Sequence, residues 1–192
     1  TLGSSCNSTA APSPTAAALQ GTPVSTPGYV GGTSDTLADV AMYYYQTDLR
    51  SPELGNCTGV LGTSVCEDNV FISGSDNNLQ QHMTTFTLGL GVRGRMAYTT
   101  SSLTDTTGDY VAVKLGSTAT STVCKWQTAG TACNWPIPSS GAVENIDDLW
   151  HAAVNGRGAY FSATDPASLA DGLANALTSI SSKVGSAAAA VS

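Results

Sequence analysis

The chain of 192 residues is long enough for one domain with its own core, because a chain of this size buries about 70% of the surface that it exposes when unfolded. It carries seven basic and fourteen acidic residues, for a net charge of −7. This balance argues against a nucleic-acid partner, which needs clustered Lys and Arg, and against an anionic membrane surface. No run approaches the roughly 20 apolar residues that a membrane-spanning helix needs.

A flexible leader is expected over residues 1–35, which contain four prolines and several glycines and show little apolar periodicity. Residues 36–192 are expected to form one domain. Its first element is a helix over about 36–48, where apolar residues recur at helical spacing, and Thr36 or one of the two residues before it is expected to cap this helix. The helix contains three consecutive tyrosines that cannot all face one core. At least one, with Tyr43 as the candidate, is expected to face solvent or a partner.

Two pairs of cysteines share one spacing, since Cys57 precedes Cys66 by nine positions and Cys124 precedes Cys133 by nine. Turn residues within each pair favour two short-range disulfides over a zinc site, which usually uses Cys-x2-Cys pairs. Each bridge would stabilise the fold by about 2–3 kcal/mol in the chain-entropy model. The alternative is four reduced cysteines. Disulfides would place the chain in the periplasm or outside the cell, with Cys6 left over.

The middle of the chain shows β signals separated by irregular sequence. A strand is expected over 84–92, whose β-branched and aromatic residues favour extended backbone. Residues 97–141 are expected to be an inserted β-hairpin region, with strands over 110–115 and 122–126, clamped by the second cysteine pair. Residues 53–80 are expected to be an irregular excursion held by the first pair.

The last fifty residues predict a helix, a strand and a second helix. Asn145 is expected to cap the first helix and Gly156 to end it. Its apolar stripe has the spacing i, i+3, i+4, i+7, i+8 and consists of Ile146, Leu149, Trp150, Ala153 and Val154. A strand over 159–163 follows. The last helix is expected to begin at Asp165 and Pro166. One apolar face of this helix consists of Leu169, Leu173, Leu177, Ile180 and Val184. The Ala/Leu face with Ala174, Ala176 and Leu177 is expected to lie in the core. This order of elements favours an α/β fold with a mostly parallel sheet.

Three stretches of the sequence are distinctive. They are TLADVAMYYY at 36–45 running on to TDLR at 47–50, QHMTTFTLGLG at 81–91, and IDDLWHAAVNGRG at 146–158 followed by YFSA at 160–163. Together they resemble the PilY family of type IV pilus tip-associated proteins. The stretches occur in family order and cover about a quarter of the residues.

The resemblance implies a region similar to a von Willebrand factor type A domain, which is followed in the family by a β-propeller. The type A fold is a doubly wound, Rossmann-like α/β sheet. We therefore expect the C-terminal part of such a domain, a partial sheet with an inserted, disulfide-clamped β-hairpin region. The resemblance further implies a place at the pilus tip and a part in pilus assembly, attachment and surface sensing.

The metal site of a type A domain is expected to be incomplete here. It uses an Asp-x-Ser-x-Ser loop and an Asp in a Thr-Asp-Gly turn, and neither pattern occurs in this sequence. Thr33 resembles the threonine that coordinates the metal, and its hydroxyl suits Mg²⁺; the alternative is a flexible turn. Mg²⁺ or Ca²⁺ would bind only if the missing loops were supplied elsewhere, and no other cofactor is expected.

Asp147, Asp148 and His151 lie within one helical turn. His151 can reach an acid three or four positions earlier, which would suit a base or a metal ligand. In the alternative, the acids favour the positive helix N-terminus and His151 makes a local hydrogen bond. The resemblance implies a packing or interface role, so that the candidate interface residues are these three together with Tyr43 and Trp150.

An enzyme is not expected, because the chain has only two histidines, no Gly-x-Ser-x-Gly elbow and no Gly-rich phosphate loop. The leading hypothesis is a non-enzymatic extracellular module, exported through the periplasm, that binds a surface or host ligand through exposed loops in 53–80 and 97–141. Its expected partners are minor pilins or the remainder of a PilY-type protein. The alternatives are a structural piece that completes a sheet with another chain, as a cap of the pilus, and a metal-regulated type A ligand-binding domain.

Overall fold

The computed structural model describes residues 35–62, 64–68, 70, 76–164 and 166–189. Residues 1–34 of the expected leader, with Cys6 and Thr33 among them, lie outside the described residues, as does Asp165. The elements in chain order are α1 (Leu37–Gln46), a short 3-10 helix (Pro52–Leu54), β1 (Thr85–Leu90), α2 (Asp109–Leu115), α3 (Glu144–Asn155), β2 (Arg157–Ala163) and α4 (Pro166–Ala189). No described helix is both long enough and apolar enough to cross a membrane.

The two described strands pair in parallel, with Leu88 opposite Phe161 and Leu90 opposite Ala163. Helix α3 packs on one face of this sheet, where the Thr87 hydroxyl donates to the Leu149 carbonyl at 2.6 Å. Helix α4 packs on the other face, where Gly172 lies against Phe161 and Leu88. The sheet is therefore enclosed between two helices, as expected for the α/β class.

Helix α1 packs behind α3 through small side chains. Ala38, Ala41 and Ala152 form a separate buried cluster, which brings the two helix backbones close together. Thr36 caps α1 by accepting from the backbone N–H of Asp39, whose carboxylate accepts in return from the N–H of Thr36. This reciprocal capping box satisfies two of the orphan donors at the helix start, and it confirms the predicted helix and its cap.

An aromatic cluster forms the main core around Trp150 of α3. The ring centroids of Tyr98, Tyr110 and Trp135 lie 5.1, 5.5 and 5.5 Å from that of Trp150, and Tyr160 of β2 lies at 6.1 Å. Offset and edge-on aromatic pairs of this kind contribute about 0.5–1.5 kcal/mol each beyond the area that they bury. Three of these rings come from the region between β1 and α3, which therefore folds over α3 as part of the core.

The prediction of a strand over 110–115 is wrong, because these residues form α2. Asp109 lies in the first turn of this helix, and Gly116 ends it with a left-handed backbone (φ 61°) that closes the last turn. Tyr110 and Val113 are three positions apart and are both buried, so that helical spacing places them on one face toward the core. Burial of that face outweighs the β propensity of its β-branched and aromatic residues.

The weaker strand predicted over 122–126 is also wrong. Cys124 has φ 52°, a left-handed conformation that a strand cannot contain, and the segment is a series of bends and turns. A single antiparallel bridge joins Thr118 to Ala132. The insertion 97–141 thus consists of one short helix and irregular backbone. The predicted β-hairpin is not formed there.

Two expectations for the later helices also need correction. Helix α3 begins at Glu144, so that Asn145 lies inside it and is not its cap. Ala174 and Leu177 of α4 are expected in the core, yet both are exposed, as are Leu173 and Ile180 of its apolar face. The physical reason is that the sheet beneath α4 has only two described strands, which are too narrow to cover that face. A doubly wound sheet therefore stays a prediction.

Candidate functional site

The two neighbouring acids of α3 each bind backbone N–H groups of a different segment. Asp147 is 2% exposed and accepts from the N–H groups of Arg95 and Met96 at 2.7 and 3.0 Å. Burial raises the pKa of Asp147 to about 6, and the two backbone hydrogen bonds offset only part of that effect. Asp147 therefore holds the segment that follows β1 against α3.

Asp148 performs the same task for α1. Its carboxylate accepts from the N–H groups of Leu37 and Ala38 at 2.9 and 3.3 Å, across a sequence separation of about 110 residues. Burial raises the pKa of Asp148 as well, and the hydrogen bonds from α1 act in the opposite direction. An anionic side chain at the first turn of a helix is favourable, and here it comes from another helix. These contacts agree with the packing role that the resemblance implies for the two acids.

Trp150 and His151 are buried, so an interface role that needs exposed atoms does not fit them in this structure. The His151 ring stacks on Trp135 with centroids 4.4 Å apart and planes 9° from parallel. Tyr43 is half-buried and lies edge-on to Tyr44. Of the three aromatic residues among the five predicted interface residues, Tyr43 is therefore the one that is not fully buried.

Both predicted disulfides are present. Cys57 pairs with Cys66 and Cys124 pairs with Cys133, with Cα–Cα distances of 5.0 and 5.8 Å. We call residues 57–66 the first clamped loop and residues 124–133 the second clamped loop. Their confirmation agrees with the expectation of an oxidising compartment.

The first clamped loop presents aliphatic side chains to solvent. Val60 is fully exposed and Leu61 is 89% exposed, at the tip of a tight turn in which the N–H of Gly62 donates to the carbonyl of Gly59. The turn is closed by a bridge between Thr58 and Ser64. Uncovered aliphatic residues at the tip of a covalently closed loop form a candidate contact surface.

Polar side chains hold the base of the first clamped loop on the domain. The Gln81 amide donates to the carbonyls of Val65 and Glu67 at 2.8 and 2.6 Å. The Asn56 amide donates to the carbonyl of Leu49 at 2.9 Å, and Arg50 donates to the carbonyl of Asn56 at 3.0 Å. The base of the loop is therefore fixed while its tip stays open to a partner.

The second clamped loop is built into the core. Both of its cysteines are 0% exposed, and Trp126 donates from its indole N–H to the carbonyl of Asn134 at 2.9 Å. Gln127 closes the loop by donating to the carbonyl of Ala132 and accepting from the N–H of Asn134. This loop covers the aromatic cluster, so its described residues offer less free apolar surface than the first.

Sequence reasoning missed the exposed pair Val60 and Leu61. The sequence contained a signal for an exposed turn, because the two aliphatic residues lie between Gly59 and Gly62. In the ten residues from Cys57 to Cys66, the only other large aliphatic residue is Val65. It also missed Asn155, which is fully buried and donates to the carbonyl of Ala38 at 2.8 Å. In the part of the chain that the structure describes, no group of three or more His, Cys, Asp or Glu is placed to hold a metal ion.

Comparison with known proteins confirms the sequence resemblance. The chain is 32% identical over 162 residues to the type IV pilus biogenesis factor PilY1 of Pseudomonas aeruginosa strain UCBPP-PA14. The aligned region covers 82% of this chain and 13% of that protein. It is 34% identical over 158 residues to PilY1 of strain PAK, covering 81% and 12%. The chain thus spans about an eighth of the length of these relatives. No protein-family model matches the chain, and no solved structure matches it.

Proposed function

We propose that this PilY-type chain is a non-enzymatic, extracellular module that serves type IV pilus biogenesis and attaches the pilus tip to a surface or a host cell. The similarity to curated pilus biogenesis factors supports the first part. The exposed tip of the first clamped loop carries the second part. Minor pilins, or the remainder of the same protein, are the proposed assembly partners.

The first clamped loop has two properties that suit attachment. Val60 and Leu61 are almost entirely exposed, so that covering them removes apolar area from water at about 25 cal/mol per Å². The disulfide already restricts the loop, and a restricted loop loses less conformational entropy when it binds. The apolar tip of this disulfide-closed loop can therefore bind a surface with a small loss of conformational entropy.

Surface plasmon resonance on methyl-terminated and hydroxyl-terminated monolayers tests attachment. We expect the variant Val60→Ser/Leu61→Ser to lose most of the binding to the methyl surface. The matched control is Leu115→Ser/Ile137→Ser, which removes two aliphatic side chains of 61% and 64% exposure outside this loop and should bind like the parent chain. Equal losses in the two variants would overturn the assignment of attachment to the first clamped loop.

A separate readout tests the biogenesis part. In the bacterium that produces the protein, deletion of residues 36–163 from the full-length protein should reduce the number of surface pili. The variant Val60→Ser/Leu61→Ser in the same setting should keep normal piliation and attach less. Normal piliation after the deletion would contradict a role in biogenesis without touching the attachment proposal.

A second candidate function, a structural piece that completes a sheet with another polypeptide, is favoured by the outer edge of β1. The N–H of Thr85 donates to the carbonyl of Gly156, just before β2, and the N–H of Gly91 donates to the carbonyl of Ala163, the last residue of β2. Backbone groups alternate in direction along a strand, so the even-numbered residues Phe86, Leu88 and Leu90 turn theirs away from β2. No other described strand pairs with that edge, and Leu90 is 56% exposed.

Amide hydrogen exchange tests this candidate. In the isolated chain the amides of Phe86 and Leu88 should exchange much faster than those of Thr87 and Gly89, and they should become protected in the full-length protein. Native mass spectrometry on the same samples identifies any second chain that supplies the strand. Equal protection of odd and even positions in the isolated chain would remove the free edge and with it this candidate.

A further inference from the structure

A pocket of about 510 Å³ opens at the carboxyl ends of both strands. The segment that follows β1 lines one side with Arg93 and Arg95, and residues at and beyond the end of β2 line another, among them Ser162 and Thr164. Open α/β sheets bind ligands at the carboxyl ends of their parallel strands. The volume lies within the range of about 300–1,000 Å³ typical of small-molecule sites.

Basic residues are concentrated at this pocket in an otherwise acidic chain. Arg93, Arg95 and Lys125 line it, which is three of the seven basic residues in a chain of net charge −7. Arg93 and Lys125 are exposed, and neither forms an ion pair with another described residue. Arg95 shares one N–H with Glu144 at 2.8 Å, which leaves the other guanidinium donors for a ligand.

The two acids in the pocket wall are occupied by the protein itself. Asp147 accepts from the N–H groups of Arg95 and Met96, as described above, and Asp109 accepts from the N–H of Ala97 at 2.8 Å. Both carboxylates therefore hold the segment 95–97 in place at the pocket wall. Their negative charge is partly compensated by these backbone dipoles, whereas the charges of Arg93 and Lys125 have no partner within the described chain.

The remaining wall combines hydroxyl groups with an apolar floor. Ser162 and Thr164 provide hydroxyls, while Met96 and Trp150 are buried below the opening. A bare inorganic ion would leave most of this volume unfilled. A guanidinium binds carboxylate or phosphate oxygens in pairs, and the hydroxyls can bind a polar organic body.

We propose that this pocket binds a small organic oxyanion, a carboxylate or phosphate carried on a hydroxylated body, through Arg93, Arg95 and Lys125. The site is separate from the first clamped loop and does not depend on attachment through that loop. A ligand of this chemistry would bridge the ends of β1 and β2 and the turn that holds Lys125.

Titration of the isotope-labelled chain, followed by amide and guanidinium NMR shifts, tests the proposal with three probes. Glucuronate and glucose 6-phosphate carry the two kinds of oxyanion, and glucose is their neutral counterpart. We expect saturable shifts at residues 93–97 and 125 with at least one of the two anions and none with glucose. The stronger of the two anions identifies whether carboxylate or phosphate is preferred. Binding should weaken as NaCl is raised, because salt screens exposed charges.

Single substitutions supply the matched control. Lys125→Gln and Lys114→Gln each remove one positive charge, but only Lys125 lines the pocket. We expect Lys125→Gln and Arg93→Gln each to raise the dissociation constant about tenfold, the usual scale for a hydrogen bond to a charged group, and Lys114→Gln to leave it nearly unchanged. The amide spectrum of each variant reports that it is folded. Equal effects of Lys125→Gln and Lys114→Gln, equal shifts with glucose, or no shifts at 93–97 with either anion would overturn the proposal.

Discussion

The two clamped loops have the same cysteine spacing and opposite surroundings. In the first, the disulfide closes a turn whose aliphatic tip faces solvent; in the second, the disulfide is itself part of the core. The flanking residues explain the difference, because Trp126 and Trp135 pack the second loop onto the aromatic cluster, whereas polar side chains hold the base of the first. Equal covalent constraint can therefore serve either an exposed contact element or the packing of a core.

Removal of the second disulfide should have the largest effect on stability. The variant Cys124→Ala/Cys133→Ala loses the loop constraint and also two fully buried sulfur atoms, for an expected loss of about 4 kcal/mol or more in the free energy of unfolding. Urea denaturation followed by tryptophan fluorescence measures it. A loss below that of the first disulfide would contradict the placement of this bridge in the core.

Removal of the first disulfide should cost less. The variant Cys57→Ala/Cys66→Ala has the same loop length, and its cysteines are half-buried and not fully buried, so that we expect about 2–3 kcal/mol, chiefly from the chain-entropy term. The same denaturation experiment, run beside the previous variant, gives the difference directly. Identical losses would mean that the two environments do not matter to the energy of the bridges.

The buried carboxyl group of Asp147 in α3 should make the free energy of unfolding depend on pH. The pKa of Asp147 is raised from 3.8 to about 6 in the folded state, so its contribution to stability is present below pH 4 and is lost as the pH rises through 6. We expect the free energy of unfolding to fall by about 1 kcal/mol between pH 5 and pH 7.5 from this group.

The substitution Asp147→Asn tests this pH effect. It should flatten the decrease between pH 5 and pH 7.5, although it also weakens one backbone hydrogen bond. Asp171→Asn, at an exposed position of α4, is the control and should keep the parent slope. An unchanged slope in Asp147→Asn would show that another group titrates.

The smallest effect on stability is expected at the tip of the first clamped loop. Val60→Ser/Leu61→Ser should change the free energy of unfolding by less than about 0.5 kcal/mol, because exposed side chains contribute little to the folded state. Urea denaturation of the variant used in the attachment experiment measures it. A loss above 1 kcal/mol would mean that the tip packs on the domain, and the attachment result would then need another explanation.

Local signals in the sequence predicted the parts of the fold that depend on neighbouring residues. The cap at Thr36, the apolar stripe around Trp150 and the nine-residue cysteine spacing all led to the observed helices and disulfides. Predictions failed where contacts with residues distant in the sequence determine the secondary structure. Residues 110–115 have strand-like composition, but Tyr110 and Val113 reach the core only in a helix.

The candidate sites could be predicted only in part for the same reason. The acids of α3 were recognised as a group, yet nothing near them in the sequence indicates that Asp147 binds the segment after β1 or that Asp148 binds α1. The pocket gathers Arg93 and Lys125 from positions 32 residues apart, and their proximity follows from the fold of the intervening chain. Side-chain exposure, which separates the two clamped loops, depends on what packs nearby in space.

The contact between Asp148 and the start of α1 has a consequence for how the protein can vary. Together with the hydrogen bond from Asn155 to Ala38, it joins the two ends of a span of about 100 residues. Once those ends are held, doubling the length of a flexible connection costs only about 0.6 kcal/mol of closure entropy. Exposed loops within that span, such as the first clamped loop, can thus accept insertions at little cost in closure entropy, while β1 and the aromatic residues of the same span keep their places in the sheet and the core.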